Sequence, residues 1–250
     1  MLPFCDLTGK TVLVTGASSG IGMQAAISIS RHGGKLIIAG RNREKLEETR
    51  SKLQGDGHQL FAGDLTVEAE LASLAEMLPG LDGLVHCAGV IGPTPAKFIR
   101  DEHIDKMFSI NYRVPVLLTA AILSSKKLNR NASVVLMSSV VTRSPYFGGS
   151  LYAGSKGAIE TYAKTLALEL VERGIRVNCL SPGLVNTPMI TDPAKESNPA
   201  IVDDSLKRYI AKYPMGVGEA EDVANAVIFL LSDEARWISG ANIDMGAVIR

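Results

Sequence analysis

Residues 10–22 read KTVLVTGASSGIG, and this stretch decides the fold. Its first part, residues 10–14, is a short apolar and β-branched run of the kind that forms a buried strand. A glycine-rich turn follows, then a helical pattern to Ile29, and a second strand pattern at residues 35–39 completes a β-α-β unit. Such a turn brings backbone N–H groups and a helix N-terminus close to a phosphate. A tight turn selected only for packing is the alternative interpretation.

The alternation of strand and helix patterns continues along the chain. Strands are predicted at residues 58–63, 81–86, 133–137, 175–180 and 242–245, and helices at 67–78, 101–127, 153–173 and 220–231. This predicts an α/β fold with a doubly wound parallel sheet of about seven strands, whose ligands bind at the carboxyl ends of the strands. The 250 residues contain no stretch resembling a linker or repeat, so residues 1–250 are predicted to form one domain.

Composition argues against several classes of function. The 26 Lys and Arg residues balance the 26 Asp and Glu residues, which disfavours nucleic acid or an anionic membrane as the main partner. The cysteines Cys5, Cys87 and Cys179 are scattered and the four histidines lack ligand spacing, so we expect neither disulfides nor a metal site. No apolar run reaches about 18 residues, and no secretory signal pattern opens the chain. We therefore expect a soluble, cytoplasmic protein.

A second informative stretch, YAGSK, occupies residues 152–156. In a helix, Tyr152 and Lys156 lie one above the other on the same face. A free tyrosine has a pKa of about 10, and a nearby ammonium favours its phenolate. The pair can then exchange a proton with a substrate oxygen near neutral pH. Because the same spacing occurs in solvated helix pairs, this interpretation depends on the neighbouring motifs.

The glycine turn, TGASSGIG, resembles the T-G-x-x-x-G-I-G motif of the short-chain dehydrogenase/reductase family, and the resemblance covers roughly residues 7–246. It implies a Rossmann fold and hydride transfer between nicotinamide C4 and a carbonyl or carbinol carbon. Tyr152 would exchange the proton, Lys156 would lower its pKa and bind the ribose, and Ser139, thirteen residues before Tyr152, would polarise the oxygen. Ser138 is the alternative serine.

Asn111 matches the family's fourth catalytic residue, which holds a water of the proton relay. Pro115, four residues later, has no N–H for the carbonyl of Asn111, so a kink there would free that carbonyl. The alternative is a Pro-bent helix with a structural asparagine.

The resemblance also implies a set of cofactor contacts. Asp64 and Leu65 would meet the adenine, although Asp64 alone is also a good helix N-cap. The complete set is Gly16, Ser18, Ser19, Gly20, Ile21, Gly22, Arg41, Asp64, Leu65, Ala88, Gly89, Tyr152, Lys156, Pro182, Gly183, Val185 and Thr187. In it, the Val185 backbone and Thr187 hold the nicotinamide carboxamide.

The segment after the fourth strand departs from the family pattern. It reads His86-Cys87-Ala88-Gly89 where the family usually has N-N-A-G, so the bracing that the second asparagine provides is in doubt. We interpret Cys87 as a small buried filler rather than a reactive thiol. We interpret His86 as a packed or strand-end histidine rather than a base.

The end of the second strand carries the cofactor preference. An acid there would bind the adenosine ribose and repel a 2′-phosphate, but this chain has Arg41 and Arg43 instead. Guanidinium groups suit phosphate, so we predict NADP(H) over NAD(H). The alternative is that both arginines only decorate the start of the next helix. Ser18 and Ser19 occupy the glycine turn without a second basic residue, which limits the expected selectivity.

The substrate is the least determined feature. Residues 188–216 are predicted to form an apolar lid, and within the family the motif spacing resembles the 3-oxoacyl-[acyl-carrier-protein] reductases. Arg130 and Arg173 fall where those enzymes hold the acidic carrier protein, which makes acyl carrier protein a candidate partner. Other ketones, sugars, steroids and secondary alcohols stay open as substrates. The long helices at 101–127 and 153–173 resemble those that pair subunits, which predicts a homodimer or homotetramer.

A member of the fold that binds nucleotides without catalysis is the rival hypothesis, since fold alone does not fix function. Such a member is expected to keep the glycine turn and lose catalytic residues. This chain retains all four, which favours an enzyme.

Overall fold

The computed structural model describes residues 4–191 and 215–246. Its strands are β1 (Thr11–Thr15), β2 (Lys35–Gly40), β3 (Gln59–Ala62), β4 (Leu81–His86), β5 (Leu128–Met137), β6 (Arg176–Pro182), β7 (Val185–Asn186), β8 (Gly218–Glu219) and β9 (Asn242–Met245). Seven of them form one parallel sheet in the order β3-β2-β1-β4-β5-β6-β9, and β7 pairs with β8 separately. The predicted seven-stranded, parallel α/β fold is confirmed.

Helices cover both faces of this sheet. They are α1 (Gly20–Arg31), α2 (Arg43–Ser51), α3 (Glu68–Met77), α4 (Asp101–Phe108), α5 (Val114–Ser124), α6 (Ser150–Leu170), the single turn α7 (Pro188–Thr191) and α8 (Ala220–Leu231). The sheet is doubly wound because successive side chains of a strand point to opposite faces. Val12 of β1 is buried in the core with α1 and α8, whereas the adjacent Leu13 is buried in the core with α3, α5 and α6.

The strand order reverses between β1 and β4, which are neighbours in the sheet. Connections on either side of this point run in opposite directions and leave a crevice at the carboxyl ends of the two strands. The glycine turn follows β1, and Cys87 to Gly89 follow β4. The fold therefore brings the two segments together at the edge where ligands bind in open α/β sheets.

The long helix predicted at 101–127 differs in detail from the structure. It runs as α4, a π-helical turn at Ser109–Arg113, and α5, and it ends at Ser124. Lys126 then adopts a left-handed conformation with φ of 55°, so the helix cannot continue to 127. By length and composition the stretch Asp101–Ser124 could cross a membrane, but core helices pass the same test, and Leu118 and Ile122 are fully buried in the core.

Helix α2 was given no bounds from the sequence, the β7–β8 pair was not predicted, and strand β5 starts earlier than predicted. Helix α2 is polar apart from the buried Leu46, and Asn42 caps it by accepting a hydrogen bond from the backbone N–H of Lys45 at 2.9 Å. The β7–β8 pair is only two residues long in each strand. Strand β5 begins at Leu128 rather than residue 133, after an irregularity in its pairing with β4.

Candidate active site

A cleft of about 630 Å³ lies at the carboxyl edge of the sheet, at the point where the strand order reverses. Its lining includes twelve of the predicted cofactor residues: Gly16, Ser18, Ser19, Gly20, Ile21, Gly22, Arg41, Asp64, Leu65, Ala88, Gly89 and Thr187. Five segments that are distant in sequence thus meet in one site. The contacts assigned to these residues stay predictions.

The glycine turn is packed backbone against backbone. A Cβ at Gly16, whose φ is 68°, would stand 2.6 Å from the backbone nitrogen of Ala88. A Cβ at Gly22 would stand 2.3 Å from the carbonyl oxygen of Gly16. Gly20, with φ of 54°, lies against the side chain of Thr187. Only glycine fits positions 16 and 22, because backbone atoms cannot move aside as a flexible side chain can.

The amino-terminal end of α1 opens onto the cleft. Ser19 is the N-cap residue, but its side chain makes no capping hydrogen bond, and the first turn of α1 contains no acid. The N-terminal N–H groups of a helix attract anions, and neither a capping oxygen nor a carboxylate from the described helix competes for them. This end of α1 is suited to a phosphate group.

The two arginines after β2 differ in position. Arg41 lines the cleft together with Lys45, whereas Arg43 does not line it and stands 3.9 Å from Glu47 on the surface of α2. The alternative interpretation, decoration of the next helix, therefore describes Arg43 but not Arg41. Lys45 was not predicted from the sequence. It places a second basic residue in the cleft, which the glycine turn does not provide.

Asp64 lies in the cleft but does not take the N-cap role considered for it. Its carboxylate accepts hydrogen bonds from the backbone N–H and the hydroxyl of Thr66, at 3.0 and 2.7 Å, while the residue lines the cleft. The N-cap of α3 is Val67 rather than Asp64. The hydrogen bonds from Thr66 hold the pKa of Asp64 below its ordinary value, and the charge of Arg41 adds to this effect.

Asn111 lies in the π-helical turn and is buried. Its side chain accepts from the backbone N–H of Val90 at 2.8 Å and donates to the Val90 carbonyl at 2.9 Å, which fixes the loop after β4. It also donates to the hydroxyl of Ser155 at 3.1 Å. Instead of a simple kink before Pro115, the helix widens, with Val114 N–H reaching the carbonyl of Ser109. The water-holding role of the Asn111 carbonyl stays a prediction.

The Tyr152–Lys156 pair lies in the first turns of α6. The Lys156 Nζ atom is 5.7 Å from the centre of the Tyr152 ring and donates to the carbonyl of Met137 at 2.8 Å. It also borders the cleft, since a Cβ at Gly89 would be 3.6 Å from it. Burial lowers the pKa of Lys156 to about 8, because a charged ammonium loses solvation. Lys156 is therefore mostly protonated at neutral pH and titrates just above it.

Ser155 connects the two preceding groups. It is fully buried, and its hydroxyl donates to the carbonyl of Tyr152 at 2.8 Å while it accepts from Asn111. Ser155 was not predicted as a site residue, although its place inside the YAGSK stretch is a usable signal.

The two candidate serines after β5 are distinguished by their hydrogen bonds. Ser138 is buried and its hydroxyl donates to Glu160 at 2.7 Å. Ser139 instead accepts from the backbone N–H of Val141 at 3.3 Å, so its own hydrogen is not used in that bond. A hydroxyl hydrogen that can be donated is what polarisation of a substrate oxygen requires. The geometry favours Ser139 over Ser138.

The predicted nicotinamide segment follows β6. Gly183 donates its N–H to the carbonyl of Met245 at 2.8 Å, and the buried Val185 pairs with Gly218. Of this segment Thr187 lines the cleft, whereas Pro182, Gly183 and Val185 do not. Met189 of the predicted lid also lines the cleft, while Ile201, Leu206, Tyr209 and Ile210 lie outside the described residues.

His86 and Cys87 agree with the structural roles predicted for them. His86 is 2% exposed, its Nε2 lies 3.0 Å from the hydroxyl of Thr119, and burial lowers its pKa to about 3. Cys87 is partly buried against Gly22, and burial raises the pKa of its thiol to about 12. The imidazole and the thiol are therefore both neutral near pH 7. No group of acids, histidines and cysteines in residues 4–191 and 215–246 is arranged to hold a metal ion.

Comparison with known proteins gives a family and several relatives. Residues 16–247 match the family model described as Enoyl-(Acyl carrier protein) reductase. A 3-oxoacyl-[acyl-carrier-protein] reductase of Rickettsia felis is 36% identical over 239 residues, which cover 95% of each chain. A glucose 1-dehydrogenase of Gluconobacter oxydans is 32% identical and covers 96% of this chain and 92% of its own. A 2,5-dichloro-2,5-cyclohexadiene-1,4-diol dehydrogenase of Sphingobium indicum is also 32% identical, over 95% and 94%.

Solved structures of dehydrogenases and reductases superimpose closely on this chain. A dehydrogenase/reductase from Sinorhizobium meliloti superimposes with a TM-score of 0.86 at 29% identity, covering 98% of this chain and 97% of the other. A short-chain dehydrogenase/reductase from Serratia marcescens superimposes with a TM-score of 0.85 at 26% identity, covering 96% and 98%.

Proposed function

The chain belongs to the short-chain dehydrogenase/reductase family of NAD(P)-dependent oxidoreductases, and from this premise we propose that it transfers a hydride between NADP(H) and a carbonyl or secondary alcohol carbon. The observation that carries the proposal is that Asn111 and Lys156 both border Gly89 of the cleft. Lys156 in turn lies beside the Tyr152 ring and donates to the carbonyl of Met137, two residues before Ser139. A non-catalytic member of the fold is expected to have lost some of these four residues, whereas this chain keeps them all.

The cleft fits a dinucleotide. The backbone packing of Gly16 and Gly22 leaves room at the start of α1, where neither an acid in the first turn nor a side-chain cap is present in the described helix. We assign the pyrophosphate to this turn, the adenine to Asp64 and Leu65, and the nicotinamide to the side of Thr187. When bound, the cofactor supplies or accepts the hydride.

The proton is handled by Tyr152. In the reductive direction its phenol donates to the substrate oxygen while the hydroxyl of Ser139 polarises the same oxygen. The buried Lys156 ammonium lowers the pKa of the phenol, because opposite charge favours the phenolate. Asn111 holds the loop after β4 through Val90, and its carbonyl is assigned the water that refills the relay.

Tyr152→Phe tests this assignment. The substitution removes a proton donor and little volume, so turnover should be abolished while the dissociation constant of NADPH stays within about twofold. Lys156→Ala should impair both turnover and cofactor binding, because the ammonium serves the phenol and the ribose. Retention of a tenth or more of the wild-type kcat by Tyr152→Phe would show that another group donates the proton.

Preference for NADP(H) over NAD(H) follows from the basic residues at the end of β2. Arg41 and Lys45 both line the cleft, and Asn42 between them fixes the start of α2. A guanidinium and an ammonium together can bind a 2′-phosphate. An acidic residue at the end of β2 would repel that phosphate instead.

Arg41 and Arg43 form a matched pair for testing the preference. We expect the wild type to have a higher kcat/KM with NADPH than with NADH. Arg41→Ala should lower kcat/KM for NADPH at least about tenfold and leave that for NADH nearly unchanged, because a bidentate phosphate contact contributes a few kcal/mol. Arg43→Ala, outside the cleft, should change neither. A wild type that prefers NADH would contradict the proposal.

For the substrate we favour a 3-oxoacyl thioester. The support is the 36% identity to a 3-oxoacyl-[acyl-carrier-protein] reductase, whereas the sugar and cyclic diol dehydrogenases at 32% keep other ketones, sugars and alcohols open. An acyl carrier protein is the partner that this substrate implies. A panel of acetoacetyl thioesters, diketones, sugars and cyclic alcohols tests the choice. Robust turnover of another class with none on thioesters would remove the thioester assignment and retain hydride transfer.

The carrier-protein role predicted for Arg130 and Arg173 needs a second protomer. Both lie at the amino-terminal edge of the sheet, opposite the cleft, where Arg130 donates to the carbonyl of Glu172 at 3.0 Å and Arg173 to that of Leu128. Neither can reach the cleft of its own chain. We propose that they act, if the carrier protein binds, at the cleft of a neighbouring copy. A cytoplasmic location is part of the same proposal.

A further inference from the structure

A carboxylate network lies directly behind Ser139 and has no part in the chemistry described above. We propose that Glu160, Arg143 and Asp244 form a clasp that positions Ser139 relative to Tyr152. The inference rests on the proposed function, since it concerns the same reaction. The three residues come from α6, from the turn after Ser139 and from β9, so the clasp joins elements that are far apart in sequence.

Glu160 gathers hydroxyl groups from three segments. Its Oε1 lies 2.7 Å from the hydroxyl of Ser138, 3.0 Å from that of Thr142 and 3.3 Å from that of Ser181. The side chain is only 14% exposed, so these contacts replace much of its hydration. One carboxylate therefore binds the end of β5, the turn after it and the end of β6.

Arg143 joins this carboxylate to a second one. Its Nη1 lies 3.1 Å from Oε2 of Glu160, and its Nε donates to Asp244 at 2.8 Å, with Nη2 bonded to the other oxygen of Asp244. A guanidinium can bridge two carboxylates in fixed directions, which an ammonium cannot. The hydrogen bonds to Asp244 raise the pKa of Arg143, so the bridge stays charged across the working range of pH.

Each bound segment continues into a part of the candidate active site. Ser138 precedes Ser139, and the hydroxyl of Thr142 also lies 3.1 Å from the carbonyl of Ser139. Glu160 follows Lys156 by one helical turn, and Ser138 reaches the Lys156 carbonyl at 3.3 Å. The clasp thus fixes the distance between the serine and the Tyr-Lys helix. A proton donor and a polarising hydroxyl must address one substrate oxygen, and a misplacement of about 1 Å lowers rates about a hundredfold.

Glu160→Gln is the main test, measured by hydrogen exchange and by kinetics. The substitution keeps the shape and removes the charge that Arg143 requires. We expect a peptide covering residues 138–144 to exchange at least about fivefold faster. We expect kcat to fall at least about tenfold while the dissociation constant of NADPH stays within about twofold. With cofactor deuterated at C4, the isotope effect on kcat should grow, because chemistry becomes slower than product release.

Two further variants separate positioning from general destabilisation. Arg143→Lys keeps the charge but not the fork, so its kcat should lie between those of the wild type and Arg143→Gln. Asp233→Asn removes a 2.6 Å ion pair with Lys10 at the opposite edge of the sheet, and should change neither kcat nor exchange in residues 138–144. If Asp233→Asn and Glu160→Gln changed kcat and exchange equally, the clasp would contribute only to general stability and not to the position of Ser139.

The outcomes keep the two proposals distinct. Unchanged exchange across residues 138–144 in Glu160→Gln would overturn the clasp, whatever the activity. A kcat within twofold of the wild type would overturn the positioning role. Faster exchange in Glu160→Gln, together with a wild type that reduces no carbonyl, would sink the proposed function while supporting the clasp as the holder of this turn.

Discussion

Lys156 is the residue whose surroundings most affect the proposed chemistry. It is buried, it donates to the carbonyl of Met137, and burial lowers its pKa to about 8. Because the pKa of Lys156 is below its ordinary value, the folded protein loses this proton at a lower pH than the unfolded chain does. Between about pH 8 and 10.5 the unfolded state binds more protons, so this residue contributes stability that rises with pH. The charge needed by Tyr152 is lost over the same range.

The expected consequence is a decline of the reductive reaction above about pH 8. Once Lys156 is neutral, no adjacent positive charge stabilises the phenolate of Tyr152, so the phenol is a weaker acid. kcat/KM for carbonyl reduction, measured from pH 6.5 to 9.5 with saturating cofactor, should fall with an apparent pKa near 8 that belongs to the coupled pair. A profile that stays flat or rises to pH 9.5 would contradict this assignment.

For single residues, the sequence indicates which side chains belong to the site better than it indicates which groups they contact. The spacing of Tyr152 and Lys156 placed them correctly on one helix face, and the choice of Ser139 over Ser138 agrees with their hydrogen bonds. Lys45 was not predicted, because it reaches the cleft only once Asn42 has fixed the start of α2. The periodicity of a sequence does not predict contacts that depend on how a polar helix packs against the rest of the protein.

At the scale of elements, the turn between β1 and α1 packs backbone directly against backbone. We expect Gly22→Ala to lower the free energy of unfolding by about 1–3 kcal/mol and to weaken NADPH binding, because its Cβ would meet the carbonyl of Gly16 at 2.3 Å. Urea unfolding and cofactor titration measure both effects.

Gly157→Ala is the matched control for this substitution. Gly157 lies inside α6 with nothing within 4 Å of an added Cβ. Alanine is the better helix former, so this variant should gain about 0.5–1 kcal/mol. If both alanines changed stability in the same direction, space at the turn would not be what selects glycine there.

The carboxyl end of α8 is closed by a buried cation. Arg176 is 8% exposed and donates to the carbonyls of Leu230 and Ser232 at 2.7 and 3.0 Å. Arg176→Met should destabilise the fold by about 1–3 kcal/mol, because two buried charge-assisted hydrogen bonds are lost and only weaker neutral donors remain for these carbonyls. Lys10→Met is the comparison: Lys10 reaches the Leu231 carbonyl at the same helix end, and its partner Asp233 is exposed, so the loss should stay below about 1 kcal/mol. Similar losses from both would contradict the role of burial.

Element boundaries show why prediction was incomplete at this scale. The seven strands of the main sheet were recognisable as short β-branched or apolar runs, and six were placed within about two residues. Helix α2 escaped because its outward face is charged and only Leu46 and Thr49 are buried. The π-helical turn at Ser109–Arg113 could be anticipated as a disturbance from Pro115, but not as a widened turn, because its shape depends on the bonds of Asn111 to Val90.

For the whole molecule, β-α alternation predicted the doubly wound parallel sheet and a ligand site at the carboxyl ends of its strands, whereas the order of the strands comes from the structure. The clasp behind Ser139 could not be predicted in the same way. Glu160 and Asp244 are 84 residues apart, and only the pairing of β6 with β9 brings their segments together. Long-range polar networks of this kind have no periodic signature in a sequence.

The outer surface of α5 and α6 carries the last prediction, self-association. Leu117 of α5, Leu168 of α6 and Val171 just after α6 are exposed, with 42%, 75% and 60% of their surface accessible. A two-fold axis would pair α6 with its own copy in antiparallel orientation. The Arg173 end of one protomer would then lie beside the Tyr152 end of the other, as the carrier-protein hypothesis requires.

We expect the wild type to have at least twice the 26.6 kDa mass of one chain when measured by light scattering at micromolar concentration. Leu168→Asp should shift the protein to monomers, because an unpaired carboxylate in an apolar interface is costly to desolvate. Met77→Asp, an exposed apolar position on α3, should leave the mass unchanged. A wild type of 26.6 kDa, or a Leu168→Asp variant that stays oligomeric, would place any subunit contact elsewhere and leave Arg130 and Arg173 without a cleft to serve.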